Sequence, residues 1–229
     1  MRRDLLAAMQ LETDARRASV LITDVADGAQ LLLLASSEPR DLVEDAARQA
    51  LLDGDSRIAL VEGREYFFTV ALPAPRLVIV GASHVSQALA AMSVTAGFDV
   101  AIVDPRKAFA SERRFPGVKV VAQWPQDAFK QAPLDPFCAV ALLAHIPNID
   151  DPALFEALDA GCFYVGALGS KRTRDARMKR LAAAGRESEA DRIHAPIGLD
   201  IGARKPAEIA VAILAEIVSV MRRGGAGRR

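Results

Sequence analysis

Over the first seventy residues the period of apolar positions switches between two and 3.6. Ser19–Thr23 and Gln30–Ala35 are short apolar runs parted by the turn signal Asp27-Gly28, a pattern that predicts two strands. Across Arg40–Leu52 the apolar residues Leu42, Val43, Ala46, Ala47, Ala50 and Leu51 recur on one helical face, and Asp53-Gly54 stops the helix. Arg57–Val61 and Tyr66–Leu72 predict a hairpin across Glu62-Gly63-Arg64. The reading is a small α+β unit of ββαββ type over residues 1–73. Pro73-Ala74-Pro75 closes it, because such a stretch is stiff and cannot continue a strand ladder.

From Arg76 onward strands and helices alternate. Leu77–Val80 is the continuous apolar run of a strand buried on both faces. A helix follows over His84–Ala96, stopped by Gly97, and further strands are expected at Asp99–Val103, Val118–Val121, Phe137–Leu143 and Phe163–Val165. Helices fit Pro152–Ala160, Lys171–Ala184 and Pro206–Met221, the last opened by a proline whose missing N–H has no partner to lose there. Alternation of this kind predicts a doubly wound, mostly parallel, Rossmann-like α/β sheet over residues 76–222. Residues 223–229, rich in glycine and ending in two arginines, read as a flexible tail.

Composition narrows the function classes. Apolar residues make up 51% of the chain, and 29 basic residues balance 29 acidic ones, so no global field recruits nucleic acid or an anionic membrane. No apolar run is long enough to span a bilayer, and no secretory leader is evident. The two cysteines, Cys138 and Cys162, make neither a disulfide framework nor a four-cysteine zinc site. A cytoplasmic protein is the expectation. The wide apolar face of the last helix, with Val211, Ile213, Leu214, Ile217, Val218 and Met221, suggests burial against a second copy of the chain or the N-terminal domain, and a homodimer is expected.

Three segments carry candidate chemistry. Gly81-Ala82-Ser83-His84-Val85-Ser86 lies between an apolar strand and a helix, where helix N-terminal amides face a pyrophosphate in dinucleotide-binding folds. Only Gly81 of the usual glycines is kept; Ser83 and Ser86 stand at the other two positions. The second strand ends at Asp104, roughly twenty residues on, where an acid is placed to bond a ribose hydroxyl. Arg106 beside it suits an anionic group. The plain alternative is a strand-to-helix turn that binds nothing.

In the second segment, Gly169-Ser170-Lys171-Arg172 opens a helix with cations that oppose the helix dipole. That conflict is relieved if an anion binds there, whereas the plain alternative is a solvated helix start. The third segment, His194 to Pro206, places Asp200 between two glycines; it reads equally well as a crossover needing turns. Among the histidines His84, His145 and His194 no pair has metal-ligand spacing, and no metal site is expected. His84 and His145 fall where the carboxyl ends of strands meet one crevice.

Taken together, these residues resemble the XdhC/CoxI family, the accessory proteins of xanthine dehydrogenase and related molybdenum hydroxylases. The segments that carry the likeness are Leu77–Val85, Val103-Asp104-Pro105-Arg106, Arg114-Phe115-Pro116, Tyr164–Arg172, His194–Gly202 and Pro206–Ala210. The resemblance implies a protein that binds molybdenum cofactor of the molybdopterin type, cooperates with a cysteine desulfurase in its sulfuration, and delivers it to a xanthine dehydrogenase-type hydroxylase. It implies a cofactor-maturation chaperone more than a classical enzyme. Gly81, Ser83, His84 and Val85 would then face phosphate. Asp104 and Arg106 would hold the sugar or pterin end, Gly169, Ser170, Lys171 and Arg172 the anion, and Asp200 would belong to the same set.

The sequence also departs from the family pattern. Residues 1–72 hold no cysteine, where the family's N-terminal domain carries one in a glycine-rich segment. Of the family's His-Asp-His run after the fourth strand, His145 and Asp150 carry over as catalytic candidates. An NAD(P)- or flavin-binding oxidoreductase, or a scaffold that has kept the fold without a ligand, remain as alternatives.

Overall fold

A computed structural model describes residues 2–224, which divide into two compact units at the Ala74–Pro75 link. The first unit contains α1 (Arg3–Asp14), β1 (Ser19–Asp24), β2 (Gln30–Leu34), α2 (Leu42–Asp53), β3 (Arg57–Val61) and β4 (Arg64–Ala71). Its four strands form an antiparallel sheet in the order β2-β1-β4-β3. Asp41 caps α2 by accepting the amides of Val43 and Glu44, and Gly54 ends that helix with φ +76°. Val20, Ile22, Leu33, Ala47, Leu51 and Phe68 are buried in its core.

The unit is therefore αββαββ rather than ββαββ. Helix α1 buries only Met9, so its sequence lacks the broad apolar stripe by which an amphipathic helix announces itself.

The second unit contains β5 (Arg76–Val80), α3 (His84–Thr95), β6 (Asp99–Val103), β7 (Lys119–Val121), α4 (Pro125–Gln131), β8 (Cys138–Leu142), α5 (Pro147–Asp159), β9 (Tyr164–Ala167), α6 (Lys171–Ala183), β10 (Ile193–His194) and α7 (Pro206–Gly224). All six strands pair in parallel, in the order β10-β9-β8-β5-β6-β7. This is the doubly wound Rossmann topology. Alternate residues feed the two faces. Val78, Val80, Val140 and Leu142 pack with Ile149, Leu154 and Leu181 on one side; Leu77, Ile79, Ala139 and Ala141 pack with Leu89, Ile213 and Ile217 on the other.

Several boundaries differ from the sequence reading. Helix α5 begins at Pro147, not Pro152. The first proline takes the position where its absent N–H costs nothing, and Pro152 is carried inside the helix. The seven-residue α4 and the two-residue β10 are too short to show a period. Helix α7 continues through Gly224, so residues 223 and 224 are helical, and the rest of the expected tail lies outside the described residues. Among the described residues no helix is long and apolar enough to cross a membrane.

Candidate functional site at the carboxyl edge of the parallel sheet

Strand β5 lies between β6 and β8, and the connections leaving β5 and β8 diverge there, opening a crevice at the carboxyl ends of the strands. Gly81 closes β5 with φ +103°, a conformation side chains rarely adopt. A Cβ at this position would stand 2.4 Å from the Ala144 nitrogen, so the glycine is demanded by the loop after β8.

The two serines build a cap. Ser83 Oγ accepts the Ser86 amide and Ser86 Oγ accepts the Ser83 amide, both at 3.2 Å, while the Ser86 hydroxyl donates to the Gly81 carbonyl at 2.5 Å. With the Ser83 amide taken by Ser86 and the Ala82 amide by Asp104, the amides of His84 and Val85 are left without an acceptor among the described residues, at the positive end of α3.

Asp104 stands where a ribose-binding acid is expected, yet it does not face outward. It is fully buried and its carboxylate accepts four bonds. Ala82 N–H donates at 2.7 Å, and Arg106 donates from its amide at 2.9 Å, from Nε at 2.9 Å and from Nη2 at 2.6 Å. Burial pushes this acid up, but the bonds from Arg106 and from the two amides outweigh it and hold the group below its ordinary range. All four acceptor positions of the Asp104 carboxylate are occupied by internal donors, so a sugar or pterin ring reaches this acid only by displacing the Arg106 guanidinium. Arg106 is spent on the same pair and its guanidinium lies 4.8 Å from the Phe109 ring centroid.

Beside the turn, a cleft of about 420 Å³ is lined by His145, Asp150, Arg172, Thr173, Arg177 and Arg180, among others. The structure thus brings both catalytic candidates together with Arg172. His145 is exposed at the end of β8 with φ +60°, a strained backbone for a non-glycine residue. Asp150, in the first turn of α5, is 1% exposed. Its Oδ1 accepts the Ala144 amide at 3.3 Å; its Oδ2 faces Arg177 and has no hydrogen-bond partner among the described residues.

Arg177, 3% exposed, approaches Asp150 Oδ2 to 3.7 Å through Nη2, and among the described residues its Nε and Nη1 have no hydrogen-bond partner. Burial pushes Asp150 up to about 6, against the pull of Arg177, and burial likewise lowers Arg177. Arg180 is held by Asp151, with Nη2 donating to Oδ1 at 3.0 Å. The cleft therefore presents cations along α6 above a floor of two buried, incompletely bonded opposite charges.

The remaining expected residues are spread more widely. Ser170 caps α6 through the Thr173 amide at 3.3 Å, Gly169 (φ +155°) lies against Thr173, and Lys171 is exposed beside Arg172 but does not line the cleft. Exposed His84 begins α3. Asp200 is exposed on a loop and accepts only the Gly202 amide at 3.4 Å.

The segment around His194 is organised by Glu216 of α7, which sequence reasoning missed. Tyr164 Oη donates to it at 2.5 Å, the Gly198 amide at 2.8 Å, and His194 Nδ1 lies 3.3 Å away with its ring stacked on Tyr164. Thr173 and Arg177 were also missed. A detectable signal existed for Arg177, since α6 buries only Arg177 and Leu181, four apart on one stripe. A basic residue on the buried stripe of a helix marks a polar demand beneath it.

Residues 77–217 match the model of the XdhC Rossmann domain. The chain is 32% identical over 162 residues to the uncharacterized protein YqeB of Escherichia coli, covering 70% of this chain and 30% of that protein. It is 36% identical over 149 residues to the molybdenum cofactor insertion chaperone PaoD of Escherichia coli, covering 65% of this chain and 41% of that protein. The chain thus spans less than half the length of these relatives. Among solved structures, a xanthine dehydrogenase from Bacillus halodurans superposes with a TM-score of 0.73 at 21% identity, over 96% of this chain and 67% of that one. At that identity the likeness shows the fold.

Proposed function

The chain belongs to the XdhC family through its Rossmann domain, and from that premise we propose that it binds a phosphate-bearing molybdenum cofactor at the carboxyl edge of its parallel sheet and passes it to a molybdenum hydroxylase. The observation that carries the reading is the pairing, at one sheet edge, of two open helix-terminal amides with a cationic cleft whose buried floor is short of hydrogen-bond partners. A phosphate suits the amides of His84 and Val85. A further anionic or carbonyl-bearing part of the ligand suits Arg172 and the Asp150–Arg177 floor. When bound, the molybdenum centre supplies the redox chemistry used by the client enzyme. The residues of this chain hold, orient and shield it.

The handover partner in this reading is a xanthine dehydrogenase-type hydroxylase, and sulfur is added by a cysteine desulfurase, since both cysteines of this chain are buried. A nicotinamide-binding reductase is the weaker reading: it needs a free acid after β6 for the ribose, and Asp104 is consumed internally.

The test is the identity of the ligand on protein purified from cells that make the cofactor. Acid release and oxidation are expected to yield a fluorescent pterin in near-stoichiometric amount, and a nicotinamide or flavin nucleotide in its place would overturn the proposal.

A further inference from the structure

The apolar face expected along α7 is divided between two directions. Ile213 and Ile217 turn inward and are fully buried against the parallel sheet. Val211, Ala215 and Val218 turn outward, and with Met92 and Thr95 of α3 they line an open groove of about 850 Å³. Val211 is 47% exposed. Arg222 and Arg223 stand at the carboxyl-terminal end of α7 in the same groove, and among the described residues no acid lines it.

An occupant must therefore offer apolar surface along the groove and an anion at the arginine end. Helix α7 itself carries that pattern. Glu208, Val211, Ala215, Val218 and Arg222 follow one another at alternating intervals of three and four residues, the spacing of a helix–helix seam. Glu208 is exposed in the first turn of the helix. It stands seven residues before Ala215, and Arg222 stands seven residues after it.

The seam is thus complementary to itself. Two copies of α7 laid antiparallel about a two-fold axis at Ala215 bring each Glu208 opposite Arg222 of the other copy. The valines then meet across the middle, and the small Ala215 lets the helices approach closely. The Glu208 carboxylate is already held in place, because its Oε2 accepts the amides of Arg204 and Lys205 at 2.9 Å each. Pairing then costs less side-chain freedom than for two loose charges.

We infer that the outward face of α7, flanked by α3, is the contact surface for a second copy of this chain, packed antiparallel about Ala215 with a Glu208–Arg222 pair closing each end. The inference does not rest on the cofactor. Helix α3 gives its first-turn amides to the crevice and its last turns to the groove, so the contact forms at the end of α3 remote from the crevice.

The experiment is sedimentation equilibrium of the full chain over the micromolar range. The wild type is expected to be a dimer. Ala215→Arg sets two cations against each other at the axis, and Arg222→Glu turns both end pairs into repulsions. Each is expected to weaken association at least about tenfold while keeping the circular dichroism spectrum, since both positions are exposed. Glu208→Arg is expected to weaken it likewise. An equimolar mixture of Arg222→Glu and Glu208→Arg is expected to regain the wild-type affinity, because in the mixed pair both end contacts are again opposite in charge.

A monomeric wild type, a dimer indifferent to Ala215→Arg, or a mixture as weak as its components overturns the inference. Should Glu208→Arg fail to fold for want of an acceptor for the two amides, Ala215→Arg and Arg222→Glu decide without it. A fatty acid found by native mass spectrometry on a monomeric wild type would give the groove a different occupant and overturn the inference as well.

Discussion

Asp104 accepts the Ala82 amide at 2.7 Å across the junction of β6 and the β5–α3 turn. That bond makes the acid part of the turn's framework, with Arg106 closing the other side of the carboxylate. It also explains why an acid belongs at this position even in a chain whose glycine pattern has been replaced by serines. The carboxylate fixes the first amide of the turn, and the open amides of His84 and Val85 follow from that fixed start.

Asp104→Ala is expected to destabilise the second unit by about 3 kcal/mol, because it strands a buried amide and an arginine that has lost its partner. Urea unfolding followed by circular dichroism measures it. The folded group is held below its unfolded value, so its contribution is full above roughly pH 4 and is lost as the pH falls through the lower folded value. A substitution that leaves stability intact would mean that the four bonds contribute nothing net.

Asp150 behaves in the opposite sense. Its carboxyl, raised to about 6 chiefly by burial, binds a proton in the folded chain at pH values where the unfolded chain has released it. Its contribution therefore favours the folded state at low pH and declines as the pH rises from about 4 to 6. The groups facing it are Arg177, the amides of Ala144 and His145, and Asp151, with Arg106 and Arg180 within electrostatic reach. Carbon-detected NMR of the side-chain carboxyl is expected to show a midpoint near 6, moving higher in Arg177→Gln, where the opposing positive charge is gone. A midpoint at the ordinary carboxylate value of about 4 in the wild type would show that the floor is solvated.

Arg172 tests the rim of the cleft. It is exposed at the cleft rim, and among the described residues it forms no ion pair, so Arg172→Ala is expected to change stability by less than about 0.5 kcal/mol. Cofactor affinity is expected to fall roughly ten- to a hundred-fold, the scale of one charge-assisted contact. Calorimetry separates the two effects, and unchanged affinity would place the ligand's anionic group elsewhere.

What the sequence makes legible follows from where periodicity is strong. The parallel sheet is visible because runs such as Leu77–Val80 and Cys138–Leu142 are buried on both faces and need no partner helix to be recognised. The position of the crevice follows from strand order, which chirality rules and short connections nearly determine. Individual roles are less accessible. Spacing alone makes Asp104 a ligand contact, because it is the same whether a carboxylate faces a sugar or the turn beneath it. Arg177 and Glu216 escape sequence reasoning because each is defined by what lies across the fold, Asp150 for one and Tyr164 with Gly198 for the other. His145 and Asp150 emerge through resemblance, and only the structure joins them to Arg177 in one cleft.

The cysteines supply the last expectation. Cys138 begins β8 and Cys162 precedes β9, so both lie at the amino edge of the sheet, opposite the crevice, and both are buried. The Cys138 thiol donates to Asp135 Oδ1 at 3.4 Å, and the two cysteines respond unequally. The neighbouring Cys162 holds Cys138 below the ordinary thiol value, while Cys138 and burial push Cys162 far above it. Access therefore decides reactivity, since a sulfur donor must reach the thiolate to transfer sulfur to it. The folded protein is expected to react with neither a thiol reagent nor a cysteine desulfurase, and both thiols are expected to become titratable only in denaturant. Persulfide labelling after incubation with a desulfurase checks this: stoichiometric label on either cysteine of the folded chain would make that residue a sulfur acceptor and require the amino edge of the sheet to open.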